Sequence, residues 1–229
     1  MYMNTSYLLF ALPALILGLY AQFKVRTAYS KFLQVRNRHN ITGYEAAQRL
    51  LQSSGLDGIQ LAETPGELTD HYDPRRKSLH LSQGVARSAS VAALGIVAHE
   101  VGHAVQDNES YLMMKLRGGL VPVVQIGSWL GPILFIAGML LSLADLSTVG
   151  LVLFSGTLVF SLVTLPVEFN ASSRAIAMLQ KSGLVASEEE EKGVRAVLSA
   201  AALTYVAAAV QSLSTILYYV SLLSGSRRR

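Results

Sequence analysis

The sequence predicts a mainly α-helical, integral-membrane chain with about four transmembrane helices and a small α+β polar domain. Composition is the first observation. Of 229 residues, 51% are apolar and only 15% charged, where soluble domains carry about 25% charged residues; the mean hydropathy is positive. The second is four stretches without a single charge, at 1–22, 118–144, 146–167 and 196–225, each matching the roughly 20 residues a helix needs to cross a bilayer. The third is a mixed polar region, 23–117, with helix and strand signals of its own.

The first stretch reads as an uncleaved anchor: no basic segment precedes it, and Gln22-Phe23-Lys24-Val25-Arg26 offers no small-residue cleavage site. The second and third read as a hairpin of spans turning near Asp145. In the polar region, Thr42-Gly43-Tyr44-Glu45 has the form of a capping box, continued at helical spacing by Ala46, Ala47, Leu50 and Leu51 and stopped by Gly55. A short strand is expected at Ile59–Ala62, turns at Thr64-Pro65-Gly66-Glu67 and Asp73-Pro74, and a half-buried strand at Ser78–Ser82, whose residues alternate. From its position this second strand is a candidate edge for an added peptide strand. A helix follows from Ser88 or Ser90 through Gln106. Beyond the third span, 168–180 reads as a helix ended by Ser182-Gly183. Ser187 with Glu188–Glu191 reads as a cap and a solvated acidic first turn. The organisation expected is thus an N-terminal span (1–22), a membrane-proximal polar region (23–117), a two-span hairpin (118–167), a polar segment (168–195) and a C-terminal apolar helix (196–225).

Chemistry is concentrated in His99-Glu100-Val101-Gly102-His103. Two histidines four apart share one helix face and can share a metal, and neutral imidazole is a preferred zinc ligand. A carboxylate beside them can take a proton from water activated by that metal. Gly102 and Ala98 are small and leave room near the ion. A catalytic zinc usually has three protein ligands and one open position. The third ligand must come from elsewhere: His39, His71 and His80 are the other histidines, and many acidic residues compete. Glu168 stands out at the end of an apolar span, where a carboxylate needs a partner; a zinc ion would be one, water or an arginine another. Without cysteine the chain has neither disulfides nor thiolate sites. The net charge of +4 comes with no basic stripe of interleaved aromatics, so nucleic acid is not an expected partner.

Several blocks together resemble one family: Gly66-Glu67-Leu68-Thr69-Asp70-His71-Tyr72-Asp73-Pro74-Arg75, Leu81-Ser82, Ala98 through Gln106, Leu165-Pro166-Val167-Glu168-Phe169-Asn170-Ala171-Ser172, and Ala201 through Ala208. In content and order they resemble the YugP-like family of bacterial neutral zinc metallopeptidases, over nearly the whole chain. That family looks related to the HtpX-like membrane peptidases. The resemblance implies a zincin-like domain of gluzincin type holding one Zn2+ per chain, with His99, His103 and Glu168 as ligands and Glu100 as general base. The family pattern after the glutamate is Glu-Phe-Asp-Ala-Ser, and Asn170 replaces its aspartate; its amide oxygen remains able to accept a histidine ring N–H, without the charge. His71, Tyr72, Arg174 and Tyr205 are candidates for stabilising the oxyanion, each with a structural hydrogen bond as the alternative. Asp70 and Asp73 read as turn caps.

Basic residues follow the first span and flank the polar regions, whereas the hairpin turn holds only Asp145. This pattern predicts a polar domain on the cytoplasmic side and an N-terminus outside, and the resemblance implies that the membrane is the plasma membrane of a bacterium. Arg227-Arg228-Arg229 runs against the pattern. The expected function is a membrane-bound zinc endopeptidase acting on membrane or membrane-proximal polypeptides. A non-proteolytic zinc-binding membrane protein is the alternative, and a scaffold with a fortuitous motif a third.

Overall fold

The computed structural model describes residues 5–226; the first four residues of the expected anchor and Arg227-Arg228-Arg229 lie outside it. The elements are α1 (Thr5–Leu33), α2 (Gly43–Ser53), β1 (Gln60–Thr64), β2 (His71–Asp73), β3 (Ser78–Ser82), α3 (Gln83–Ala86), α4 (Val91–Asn108), α5 (Leu112–Leu140), α6 (Ala144–Lys181) and α7 (Glu188–Ser226). Among the described residues, four helices are long and apolar enough to cross a membrane, over Leu8–Leu33, Leu112–Leu140, Ala144–Lys181 and Glu188–Gly225. The fold is mainly helical with one small sheet, and the chain divides into two compact units.

The first unit comprises Met1–Gln22, Lys115–Pro166 and Leu203–Arg229. Its α5–α6 hairpin is packed backbone to backbone at glycines. A Cβ on Gly131 would lie 2.8 Å from Phe154 N and 2.9 Å from Gly150 O, and one on Gly127 would lie 2.6 Å from Leu153 O. In hydrocarbon, where helices gain nothing by hiding apolar surface from one another, such close packing is what holds them together. Ser147 Oγ donates to Phe135 O across the pair at 3.2 Å. The turn lies at Leu141-Ser142-Leu143, with Ser142 at φ 57°. Asp145 is in the first turn of α6, so the reversal comes slightly before the expected position. Phe135 stacks on Tyr219 at 3.9 Å between ring centroids, and Ser214 Oγ donates to Phe10 O, tying α7 to α1.

The second unit comprises Phe23–Met114 and Val167–Ala202. The capping box opens α2 as expected, with Glu45 N donating to Thr42 Oγ1 at 3.3 Å and Thr42 N to Glu45 Oε2 at 2.8 Å. Gly55, at φ 69°, closes the helix, where left-handed backbone costs glycine nothing. The sheet order is β1-β3-β2, with β1 parallel and β2 antiparallel to β3. Ser78–Ser82 is therefore the central strand, flanked on both sides, and is not the open edge expected for an added peptide. The edges are β1 and β2, and β2 runs up to the turn expected at Asp73-Pro74, where no strand is predicted. Leu79 and Leu81 of β3 pack with Leu50, Leu51, Leu94, Val97 and Val101 in the core. Ser90 caps α4, accepting from Ala93 N at 3.1 Å. Both long C-terminal helices are continuous: α6 passes through Pro166 and Glu168 without a break, and α7 runs from the acidic turn through the apolar segment.

Candidate metal centre

Helix α4 presents His99 and His103 one turn apart, with ring centroids 4.7 Å apart. Facing them is Glu168 of α6, 1% exposed. One carboxylate oxygen, Oε2, lies 3.2 Å from His99 Nε2 and 3.6 Å from His103 Nε2, and the three ligand atoms fall within 4.8 Å of one another. Two donors at about 2.0–2.1 Å from one tetrahedral zinc lie roughly 3.3 Å apart, so this spacing fits that ion. The donor set, two imidazole nitrogens and one carboxylate oxygen, is also that of catalytic zinc sites with an open fourth position.

The close approach of the two helices is made possible by Gly102. A Cβ there would lie 2.8 Å from Ala171 O and 3.3 Å from Ala171 Cα. The small residue expected to leave room for the ion instead admits the backbone of α6. Gly102→Val is expected to cost about 1–3 kcal/mol in stability through overpacking and to weaken metal binding by pushing Glu168 off α4. Thermal unfolding and zinc titration of the purified variant measure the two effects.

Hydrogen bonds fix how the rings are turned. Arg174, a donor only, gives Nε–H to Asn170 Oδ1 at 2.8 Å and a second N–H to Glu109 Oε2 at 2.6 Å. Gln106 Nε2 donates to Asn170 Oδ1 at 2.9 Å and to the Val167 carbonyl at 2.8 Å. With its amide so oriented, Gln106 Oε1 can only accept, and it meets His103 Nδ1 at 3.0 Å. The proton of neutral His103 is therefore on Nδ1, and the lone pair of Nε2 is turned toward Glu168. His99 Nδ1 meets Ser172 Oγ at 3.2 Å. Asn170 thus acts one bond further out than expected: Gln106, not Asn170, holds the histidine ring. Arg174 orients Asn170. Gln106→Leu is expected to weaken zinc binding about 10–100-fold, measured by competition with a chromophoric chelator.

Glu100 is 9% exposed. Its Oε2 accepts from Tyr72 N at 3.1 Å, and burial pushes its pKa up. The Tyr72 hydroxyl donates to Asp107 Oδ2 at 2.7 Å, so it is the backbone N–H of Tyr72 that meets Glu100 and its phenol makes a hydrogen bond elsewhere on α4. Burial, then the Asp107 carboxylate, raises the Tyr72 pKa. His71 is exposed on β2, its Nδ1 bonded to Thr69 O at 2.8 Å and its ring stacked on His80 at 4.6 Å. Tyr205 belongs to α7 in the first unit and is half-buried. Asp73 caps its turn, accepting from Arg75 N at 2.9 Å, whereas Asp70 caps no turn of its own and accepts from Ser82 N, at the end of β3, at 2.8 Å. Gln106, Asp107 and Ser172 were not singled out by sequence reasoning; Gln106, three residues past His103 on the same helix face, carried the only local signal.

Fold and site together describe a chain with helices long and apolar enough to cross a membrane and a cluster of two histidines and one carboxylate that could hold a metal ion. The chain belongs to the family described as "Putative neutral zinc metallopeptidase", whose model matches residues 7–224. It is 44% identical over 221 residues, covering 96% of this chain and 98% of the other, to the Bacillus subtilis (strain 168) protein named "Putative membrane protease YugP". No solved structure matches.

Proposed function

We propose that this chain is a multi-pass membrane zinc endopeptidase with a zincin-like site, holding one zinc through His99, His103 and Glu168 and using Glu100 as general base. One observation carries the reading: three donor atoms converge within 4.8 Å of one another, and the buried carboxylate next to the first histidine is not among them. A purely structural zinc is normally closed by four protein ligands and needs no base.

Zinc, when bound there, supplies a Lewis acid that activates water and polarises a carbonyl. Glu100 does the proton work. Tyr72 N–H engages Oε2, which leaves Oε1 to take a proton from the attacking water. Burial raises the proton affinity of Glu100, which suits it to keep that proton and then give it to the leaving amine nitrogen. Gln106 and Ser172 hold the imidazoles with Nε2 forward.

Substrates on this reading are polypeptides in or beside the bilayer, and the basic-residue pattern favours the cytoplasmic side of a bacterial plasma membrane. The β2 edge, next to Glu100, replaces β3 as the strand alongside which a peptide would lie. The test is cleavage of an unfolded protein such as casein by detergent-purified chain. Cleavage lost on chelation and restored by zinc is expected. A chain that binds zinc stoichiometrically and cuts neither casein nor membrane-protein substrates would instead be a non-proteolytic zinc protein.

A further inference from the structure

Strand β2 is three residues long and pairs on one side only, with β3. So short an edge strand has little to hold it in place, yet its central residue carries the N–H that meets Glu100. Tyr72 is gripped twice by α4. Its N–H goes to Glu100 Oε2 at 3.1 Å, and its hydroxyl goes to Asp107 Oδ2 at 2.7 Å. Glu100 and Asp107 are seven residues apart, two helical turns, and so share one face of α4. Lys77, which precedes β3, places Nζ 2.5 Å from the same Asp107 oxygen, so the carboxylate is neutralised and the turn between β2 and β3 is fastened at the same point. The Tyr72 side chain is buried in the core between these anchors.

We propose that Asp107 is a positioning residue for the reaction: through the Tyr72 hydroxyl it holds β2 against α4, so that the Tyr72 N–H fixes one oxygen of Glu100 and the other is presented to water. This rests on the reading of Glu100 as the base. The Asp107 carboxylate is bonded to Tyr72 and Lys77; it acts through one tyrosine, whose two ends couple the far end of α4 to the motif. Asn at 107 keeps an acceptor for the hydroxyl, and Phe at 72 keeps the ring while losing the donor.

The experiment compares Asp107→Ala, Asp107→Asn and Tyr72→Phe in the full chain in detergent. It reads amide hydrogen exchange at Tyr72, zinc content, kcat and KM on casein. In Asp107→Ala and Tyr72→Phe, exchange at the Tyr72 amide is expected to speed up about tenfold while core amides of α4 are unchanged. In the same two variants kcat is expected to fall about 10–100-fold at unchanged KM and zinc content. Asp107→Asn is expected to recover most of both. Unchanged Tyr72 exchange in Asp107→Ala would overturn the proposal, and so would a loss of kcat that follows a loss of zinc or no recovery in Asp107→Asn. Failure of the base reading has a separate signature, cleavage retained by Glu100→Gln, because the exchange measurement does not depend on activity.

Discussion

Glu100→Gln is expected to lower kcat by about 10²–10⁴-fold, the usual worth of a positioned acid–base group, with zinc content unchanged and melting temperature no lower. The substitution is nearly isosteric. The glutamine carbonyl oxygen can still accept from Tyr72 N, which now meets Glu100 Oε2 at 3.1 Å, so β2 keeps its hold. Glu100 is not among the three ligand atoms, so the metal keeps its donors. Only the capacity to take up a proton is lost. The variant relieves the fold of a buried carboxylate, whose pKa burial has already raised, so any change in stability should be upward. Cleavage at the wild-type rate, with zinc bound, would remove Glu100 from the mechanism.

Glu168→Gln is expected to weaken zinc binding by more than the roughly 100-fold upper cost of losing a residue that merely supports a ligand, because it removes a ligand and its charge together. Glu168 is 1% exposed with both imidazoles on one oxygen, and a buried carboxylate of this kind needs a cation. Competition with a chelator reads the affinity, and wild-type affinity in the variant would exclude Glu168 as a ligand. Acid should mimic the mutation. Burial alone would drive the proton off His103, but its bond to Glu168 and the charges of Glu100 and Glu168 outweigh that, so the metal-free ring keeps its proton above the ordinary histidine range. Zinc must displace this proton. Binding therefore weakens as pH falls, and the fall should begin above the pKa of about 6.5 of a free histidine.

The parts of this site legible in the sequence are those set by local spacing. His99 and His103 lie one turn apart, Thr42 and Glu45 close a capping box on themselves, Ser90 caps its own helix, and Ser78–Ser82 forms a strand, although as the central one it buries its serines too and is not the half-buried strand its alternation predicts. What could not be read depends on partners distant in the chain. Gln106 meets Asn170 across 64 positions and Tyr72 meets Asp107 across 35, and neither leaves a periodic trace. Residues 71–73 are too few to alternate; they become a strand because β3 pairs with them and α4 grips Tyr72. The central place of β3 is a property of strand order, which alternation does not encode. In the sequence Gly102 suggests only space, because a missing side chain says nothing about which neighbour fills the gap. Glu168 was visible only as an expensive carboxylate at the end of an apolar run; the choice of zinc over arginine needed the family resemblance, and the geometry now supports it.

The second unit is not contiguous: 23–114 and 167–202 are separated by the glycine-packed hairpin. Order of synthesis follows from this. His103 leaves the ribosome 65 residues before Glu168, and at about 5–20 residues per second the two histidines wait roughly 3–13 s for their carboxylate. Both hairpin spans are made in that interval and are available for insertion. A nascent chain stalled in the hairpin carries the complete motif but lacks Glu168, so on the proposed reading it gains no activity until both spans have been made.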